Sequence, residues 1–415
     1  MRTDTVARTY IACLGFAVLL LIPSFDTALK YFGIPGIIAY FAVGLLALFA
    51  VWKFILPLYC ARMTDKFADI FAVITFAFLT LLVYVVYPLA NSGRFGRGGD
   101  ADDALLIAGA KLLNGEFPYY LSTYLGNMIS PMPGAVLFSL PFVALGIVAL
   151  QNIFWLGVLF VTVRHYFKNS AFALGFIWLL LLISPTVYQN LFTGADYVSN
   201  SIYILVFMWI MITTVSNRES AEWQRILPAV LLGIGFSSRS NFLVLMPLLL
   251  SILVQNAGWK QAIKYLSIAG FACLAVTVPF WIYDPSGFTP LIVQSMKVTE
   301  LQTVLPFAGV IIPFSGMLLA AVLSFQKLET DCTAFFRNCA LVQLFVLLFT
   351  SGVWSLKLGY LDLFVGQSGY GMFTLLFGAI AGWAAFYPNV LSSSLSLSSD
   401  SSGKQALTQN FRSII

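Results

Sequence analysis

Residues 68–90, ADIFAVITFAFLTLLVYVVYPLA, decide the fold class of this 415-residue chain. The stretch carries one charged residue and is longer than the roughly 20 apolar residues with which a helix crosses a bilayer. Apolar runs of this kind, bounded by charged residues or by Gly, Pro and Asn, recur along the whole sequence. The others occupy residues 10–25, 34–59, 171–188, 198–215, 226–238, 241–255, 262–283, 303–325, 338–355 and 370–387. The chain is therefore predicted to cross a membrane many times.

An interrupted stretch at residues 132–163 contains Pro133, Pro141 and the polar pair Gln151-Asn152. We predict one crossing there, preceded by a short re-entrant or tilted piece, which brings the expected total to about 12 transmembrane helices. With both termini in the cytoplasm, fifteen of the 22 Lys and Arg residues then lie on the inner side, in agreement with the positive-inside rule. Seven lie outside: Lys30, Arg94, Arg97, Lys111, Arg239, Lys297 and Lys357.

The composition supports this class and excludes others. Hydrophobic residues make up 60% of the chain and charged residues 9%, whereas about a quarter of a soluble domain is charged. The net charge of +5 is spread along the sequence without a basic run, which excludes nucleic-acid binding. We predict an all-α, polytopic integral membrane protein with a multi-span domain at residues 1–390 and a disordered cytoplasmic tail at residues 391–415. We expect multi-pass insertion in a bacterial cytoplasmic (inner) membrane.

The densest polar group lies in the predicted outer loop 91–131, where Asp100, Asp102 and Asp103 precede the segment ALLIAGAKLLNG at residues 104–115. At 100° per residue, four leucines of this segment share one stripe. They are Leu105, Leu106, Leu112 and Leu113. The pattern predicts an amphipathic helix that lies on the outer membrane face within this first large outer loop.

The acidic cluster has two interpretations. An Asp at a helix start accepts backbone N–H bonds and complements the helix dipole, and Asp100 or Asp102 would occupy that position. Three carboxylates within four residues exceed this need, and neighbouring negative charges raise one another's pKa, as in a general base or a metal-binding pair. A divalent cation would suit paired carboxylates. No metal-ligand spacing occurs among the cysteines or around His165, so no metal ligand is assigned.

Two motifs follow the acidic cluster: LLNGEFPY at residues 112–119 and SPMP at residues 130–133. With them the chain resembles the polyprenyl-phosphate-dependent glycosyltransferases of the C-type superfamily, in particular the mannosyltransferase-like family 87. The family has an Asp near the loop start, a Leu-Leu-x-Gly-x-x-Pro-Tyr unit and adjacent prolines before the next helix. Here a Met separates the prolines, and three Asp stand where the family has one. Residues 233–241, GIGFSSRSN, are similar to the superfamily's Gly-x-x-x-x-x-Arg-Pro-Asn pattern, with Ser240 in place of proline.

The resemblance implies a catalytic domain at residues 1–390 that transfers a hexose, with inversion, from a polyprenyl-phosphate sugar donor to a hydroxyl of a lipid or glycan acceptor in the cell envelope. The acceptor hydroxyl would be deprotonated by one of three carboxylates, Asp100, Asp102 or Asp103. The charge of the departing phosphate would be stabilised by nearby cations, first Arg239, and also Arg94, Arg97, Lys297 and Lys357. Further substrate contacts are expected from Asn241, Tyr119 and Asn127.

The position of Arg239 supports part of this reading independently. Its flanking apolar runs are short for a bilayer, so their junction is expected below the outer headgroups, where an arginine is costly unless it has a partner. A lipid phosphate suits a guanidinium, but an ion pair with Asp196 or snorkelling to the surface would also satisfy it. These alternatives remain open from the sequence.

Three other classes of protein fit a chain with so many crossings. A secondary transporter would place polar groups at the midplane of two corresponding repeats, and no such internal symmetry is evident. A surface-polysaccharide polymerase or ligase is expected to carry its large functional loop late in the chain, whereas the loop here is early. A purely structural membrane protein would leave the acidic cluster as a helix cap.

Overall fold

The computed structural model describes Gly15, Ala17 and residues 19–92, 99–327, 332–361 and 370–384. Within these ranges every regular element is a helix, apart from one isolated antiparallel bridge between Ser122 and Met128. The prediction of an all-α chain is thereby confirmed. Cys60 and Ala61 are described for their backbone alone.

The amino-terminal part is helical and folds back on itself at Gly33. A 3₁₀ turn leads into α1 (Phe25–Ala50), and a π-helical turn at Val51–Ile55 joins it to α2 (Leu56–Arg62). The backbone of α1 leaves helical geometry at Gly33, and the chain reverses there: the Phe25 ring contacts the Tyr40 and Phe41 rings. After Thr64, whose side chain accepts a hydrogen bond from the Phe67 N–H, α3 (Asp65–Ala90) begins.

The remaining elements follow in chain order and include the predicted helix after the acidic cluster. They are α4 (Ala101–Leu113), α5 (Pro133–Ala144), α6 (Leu150–Phe167), α7 (Ser170–Ile183), α8 (Pro185–Thr193), α9 (Tyr197–Ser216), α10 (Glu222–Phe236), a 3₁₀ helix (Ser240–Leu245), α11 (Met246–Ala257), α12 (Trp259–Tyr283), α13 (Thr289–Gln302), α14 (Ala308–Leu323), α15 (Cys332–Leu358) and α16 (Tyr370–Ala384).

Six described helical segments are long and apolar enough to cross a membrane, and the α7–α8 pair, bent by 87°, adds a seventh if it counts as one span. The six are Leu19–Tyr59, Asp65–Ala90, Tyr197–Ser216, Ser240–Ala257, Trp259–Tyr283 and Cys332–Leu358. Three shorter apolar helices are α5, α14 and α16. The prediction of a multi-pass membrane protein is confirmed at this level.

The described parts of the runs at 10–25 and 34–59 are contiguous in one helical stretch, Leu19–Tyr59, but the chain reverses within it at Gly33. A Cβ on Gly44 would meet the Leu21 side chain, so the two runs lie side by side. The run at 171–188 breaks at Ser184, because Pro185 cannot continue the hydrogen bonding of the preceding helix. The expected interruption within 132–163 is present: α5 and α6 are separate helices, and Gly146 between them adopts a positive φ.

Contacts between the helix connections form two separate groups. One group, which we call the opposite end, is made by residues near the start of α3, the end of α6 and the connections α9–α10, α11–α12 and α14–α15. Its contacts are Arg164–Asp69, Ser170–Asp65, Arg225–Asn217, Lys264–Glu222, Gln255–Gln326 and Arg337–Gln326. The other group, which we call the site end, contains α4 and the connections α8–α9, α10–α11 and α12–α13.

Helix α9 lies at the centre of the bundle and is buried along nearly its whole length. It packs against α6, α10 and α11, while α3 and α12 present most of their surface outward. At the site end, the start of α5 packs closely against the end of α10. The Gly134 N–H donates to the Ser237 hydroxyl over 3.2 Å, and a Cβ on Gly134 would lie 2.1 Å from the Ile234 carbonyl oxygen. This contact fixes the chain just before Arg239.

Candidate functional site

Asp102 is the most enclosed of the three clustered carboxylates. It lies in the first turn of α4 and is 6% exposed. Its Oδ2 accepts hydrogen bonds from the Tyr87 hydroxyl at 2.8 Å and from the Asn91 amide at 2.7 Å, both at the end of α3. Burial, which disfavours the charged form, raises the pKa of the Asp102 carboxyl from 3.8 to about 6. This carboxylate is therefore ionised at neutral pH but is a stronger base than an exposed one.

Asp100 and Asp103 bind the loop that follows α4. Asp100 Oδ2 accepts from the Thr123 hydroxyl at 2.6 Å and from the Asn127 amide at 2.8 Å, and Asp103 Oδ2 accepts from the Tyr124 N–H at 2.8 Å. Asp100 occupies the N-cap position, as one interpretation expected, but within the described residues its side chain makes no capping hydrogen bond to the helix. The three carboxylates thus face three different sets of partners.

The predicted leucine stripe of α4 is only partly right. Leu105 is fully buried together with Ala104 and Ala108, because this face of α4 packs against α5. Leu113, at the last turn, is 53% exposed, so the buried face is centred between Leu105 and Ala108 and does not follow the leucines.

Gly194, the first residue of the α8–α9 connection, lies against the acidic cluster. Its φ of +72° ends α8 in the left-handed region, where glycine is favoured. A Cβ at this position would lie 2.9 Å from the Asp102 Cβ and 2.9 Å from the Tyr87 ring. The connection therefore runs directly over Asp102, and two residues later it presents Asp196.

Asp196 and Arg239 form an ion pair beside this connection, in which the carboxylate is buried and the guanidinium partly buried. Asp196 is 2% exposed, and its Oδ1 accepts from Arg239 Nη2 at 2.7 Å. The guanidinium lies over the Tyr197 ring, 4.7 Å from its centroid, in cation–π geometry. Of the alternatives for Arg239, the structure contains the pair with Asp196.

A column of aromatic rings leads from Arg239 to an exposed lysine. The Tyr197 and Tyr370 rings meet edge to face with centroids 5.6 Å apart. Lys297 Nζ lies 5.9 Å from the Tyr370 ring centroid and 3.5 Å from the Tyr370 hydroxyl. Two cations, one partly buried and one exposed, are therefore linked through two tyrosines.

Asn152 of α6 fixes the α8–α9 connection. Its amide donates to the carbonyls of Asn190 and Ala195 at 3.1 and 2.9 Å, and its oxygen accepts from the N–H and the hydroxyl of Ser199. The side chain is fully buried. Sequence reasoning used Asn152 only as an interruption of an apolar run, although a polar residue inside such a run is the signal by which it is found.

The other predicted substrate residues have partners of their own. The Asn241 amide donates to Gln343 Oε1 at 3.3 Å, and Asn127 binds Asp100. Tyr119 is 1% exposed among aromatic rings, and its hydroxyl has no hydrogen-bond partner in the described part of the chain. Burial raises the pKa of that hydroxyl far above its ordinary value. Lys357 is ion-paired with Glu300 at 3.0 Å.

Arg94 and Arg97 lie outside the described residues, as does the tail at 391–415. Across the described ranges, no group of three or more His, Cys, Asp or Glu side chains is arranged to hold a metal ion.

The candidate site consists of the residues that converge at the site end: Asp100, Asp102, Asp196, Arg239 and the Tyr197–Tyr370–Lys297 column. Comparison with protein-family models, curated proteins and solved structures gives no match to this chain.

Proposed function

We propose that this protein is a membrane glycosyltransferase of the C-type kind, which moves a hexose from a polyprenyl-phosphate donor to an acceptor hydroxyl on the outer face of a bacterial cytoplasmic membrane, with inversion. One observation carries the proposal: the connection through Gly194 brings the buried carboxylate of Asp102, whose pKa is raised, close to the partly buried Arg239 at the site end. A general base and a phosphate-binding cation are the two groups that this reaction needs from the protein.

Asp102 is the general base in this proposal. Its pKa of about 6 lies near neutral pH, where a base is both ionised and able to accept a proton. It takes the proton of the acceptor hydroxyl, the oxygen attacks the anomeric carbon, and the bond between that carbon and the phosphate oxygen breaks. Polyprenyl phosphate leaves with the bonding electrons, and Arg239 and Lys297 stabilise its charge.

Asp100 and Asp103 have supporting roles. Asp100 is half-buried and accepts hydrogen bonds from Thr123 and Asn127, so we assign it to the binding of the acceptor. Asp103 holds the backbone of Tyr124, which keeps the loop after α4 closed over the helix start. Burial and the charges of all three carboxylates raise the pKa of the Tyr124 hydroxyl, which makes it a hydrogen-bond donor over the working pH range.

The proposal includes the topology of about 12 transmembrane helices with both termini inside. The two groups of contacts support it, because the longer helices run alternately toward the site end and the opposite end, whereas α4, α5 and α13 stay at the site end. Basic residues are also concentrated at the opposite end, which the positive-inside rule assigns to the cytoplasm. The site end then faces outward, where the sugar of the donor and the acceptor would meet.

The experiment is a measurement of polyprenyl phosphate released by purified protein from a panel of polyprenyl-phosphate hexoses, with membrane lipid extract as acceptor. We expect release by the wild type, a loss of about 10²-fold or more in Asp102→Asn, and a smaller loss in Asp103→Asn. Asp69→Asn removes a carboxylate paired with Arg164 at the opposite end and serves as the matched control. No release from any donor, or equal rates in all variants, would move the transporter interpretation to first place.

A further inference from the structure

The Asp196–Arg239 pair makes only one of the two parallel hydrogen bonds that a carboxylate and a guanidinium can form. A guanidinium binds a carboxylate best through two parallel hydrogen bonds, for which Nε and Nη2 lie on the same edge. Here Nη2 donates to Asp196 Oδ1, while Nε and Asp196 Oδ2 are both buried and have no hydrogen-bond partner among the described residues. Each unmade bond of this kind weakens the folded state.

A phosphate ester is a better partner for that edge of Arg239 than the single carboxylate oxygen. It offers several anionic oxygens in a spacing that matches Nε and Nη2 together. The backbone of Asp196 is meanwhile held in place by the four hydrogen bonds of Asn152, so the exchange needs a rotation of the Asp196 side chain and leaves the connection where it is.

We infer that Asp196 is the resting counter-ion of Arg239 and that the phosphate ester of a polyprenyl phosphate displaces it on binding. The identity of the lipid rests on the proposed function; the exchange of anions rests on the geometry of the pair. While Asp196 is in place, the charge of the partly buried arginine is neutralised and the protein tolerates it without a ligand.

The exchange selects for an anion that is held at high local concentration. Free phosphate must compete with a carboxylate attached to the same chain, whereas a lipid phosphate is confined to the membrane beside the site. Lys297, exposed at the outer end of the tyrosine column, provides the first cation that such a headgroup meets. Removing the negative charge of Asp196 removes the competitor and therefore strengthens binding, which is the opposite of what the loss of a structural ion pair would do.

The test measures the Kd of sugar-free polyprenyl phosphate and of inorganic phosphate for purified protein in detergent. Asp196→Asn is expected to bind the lipid about tenfold more tightly than the wild type, since one competing charge-assisted hydrogen bond is gone. Inorganic phosphate is expected to bind both proteins much more weakly. Asp69→Asn, which breaks an ion pair at the opposite end, is expected to leave both constants unchanged.

A double variant, Asp196→Asn with Arg239→Gln, replaces the ion pair by two neutral amides. It shows whether a change in phosphate binding comes from the loss of charge or from misfolding. It is expected to fold and to bind no phosphate. In wild-type protein, an infrared difference spectrum on addition of polyprenyl phosphate should show the carboxylate band of one Asp shifting, and the double variant should lack that band.

Each result decides the inference. A folded Asp196→Asn protein with an unchanged or weaker lipid Kd overturns it, as does inorganic phosphate that binds the wild type as tightly as the lipid does. If the wild type transfers sugar and Asp196→Asn does not tighten binding, the inference is wrong and the proposed function stands. If Asp196→Asn tightens binding and no transfer occurs with any donor, the anion exchange stands and the proposed function is wrong.

Discussion

Asp102 shows how one buried side chain connects stability to chemistry. Two neutral donors, from Tyr87 and Asn91, hold its Oδ2, and no cation is among its contacts in the described part of the chain. The free energy of burying its charge is therefore only partly recovered, and the fold favours the protonated form. A carboxylate kept in this state destabilises the protein at neutral pH, which fits a residue retained for its reactivity.

The first prediction concerns stability. Because the pKa of Asp102 is about 6 in the folded protein and 3.8 in the unfolded chain, its stabilising effect is complete below pH 3.8 and is lost as the pH rises through 6. Asp102→Asn, which is always neutral, should therefore be more stable than the wild type at pH 7.5 by up to about 3 kcal/mol in the free energy of unfolding. Its unfolding temperature should be correspondingly higher. The difference should shrink at pH 5. A variant less stable than the wild type at pH 7.5 would mean that Asp102 serves the fold.

The second prediction concerns activity. As a general base, Asp102 must be ionised, so kcat/KM for sugar transfer should fall about tenfold for each pH unit below an inflection near pH 6. A pH profile of the wild type and of Asp103→Asn measures this directly. Asp103→Asn should keep the inflection and move it only slightly to lower pH, since the charge of Asp103 is the smallest of the causes that act on the pKa of Asp102. A profile in which Asp103→Asn abolishes the inflection would transfer the role of base to Asp103.

At the scale of elements, the site depends on connections and their supports. The α8–α9 connection carries Asp196, passes over Asp102 at Gly194 and is fixed from outside by Asn152 of α6. The α10–α11 connection carries Arg239 and is fixed by the contact of Gly134 with Ser237. Buried polar residues on neighbouring helices thus set the distance between Asp102 and Arg239.

The third prediction tests Asn152. Asn152→Ala leaves two buried carbonyls and the Ser199 N–H without their partner, so we expect a loss of about 2–3 kcal/mol in stability. Polyprenyl phosphate binding should weaken as well, because Asp196 and Arg239 lose their fixed position. Asn256→Ala, which removes one hydrogen bond at the end of α11, is the control. Equal loss of stability in the two variants with no effect on lipid binding would reduce Asn152 to a packing role.

The fourth prediction tests the contact between α5 and α10. Gly134→Ala places a Cβ 2.1 Å from the Ile234 carbonyl oxygen and 2.8 Å from the Ser238 nitrogen, so the two helices must separate. Overpacking of this kind costs about 1–3 kcal/mol, and activity should fall because Arg239 follows directly. Gly157→Ala in α6 is matched in chemistry and has no atom within 4 Å of the new Cβ among the described residues, so it should be neutral or slightly stabilising. Similar thermal shifts in the two variants would contradict the close contact.

The sequence predicts these elements better than it predicts their partners. Apolar runs such as 68–90 identify helices because burial in lipid or protein is a property of the run itself, and the helix after the acidic cluster follows from the same periodicity. The break at Ser184 is a local effect that Pro185 signals. For Arg239 the sequence names Asp196 only as one of three alternatives, and it gives no role to Asn152, because both depend on contacts between residues more than 40 positions apart, which periodicity does not encode.

At the scale of the whole molecule, the two ends of the bundle differ in chemistry. The opposite end is rich in basic residues: Arg62, Lys66, Arg164, Lys168, Arg218, Arg225, Lys260, Lys264 and Arg337. The site end contains the acidic cluster, the Asp196–Arg239 ion pair and the aromatic column. A bilayer that holds the opposite end in the cytoplasm exposes the whole candidate site to the outer leaflet, where a lipid-linked donor can approach Lys297 sideways.

The fifth prediction tests this orientation of the protein in the membrane. In a variant whose five cysteines are replaced by alanine, single cysteines are introduced at Ser122 and Ser286 of the site end and at Asn217 and Lys260 of the opposite end, all of which are exposed. A maleimide that does not cross membranes should label the first two in intact cells and the last two only after permeabilisation. The reverse pattern would place Asp102 and Arg239 in the cytoplasm and rule out transfer at the outer face. Labelling of all four in intact cells would contradict the alternating path of the helices, because residues at both ends of the bundle would then lie on one side of the membrane.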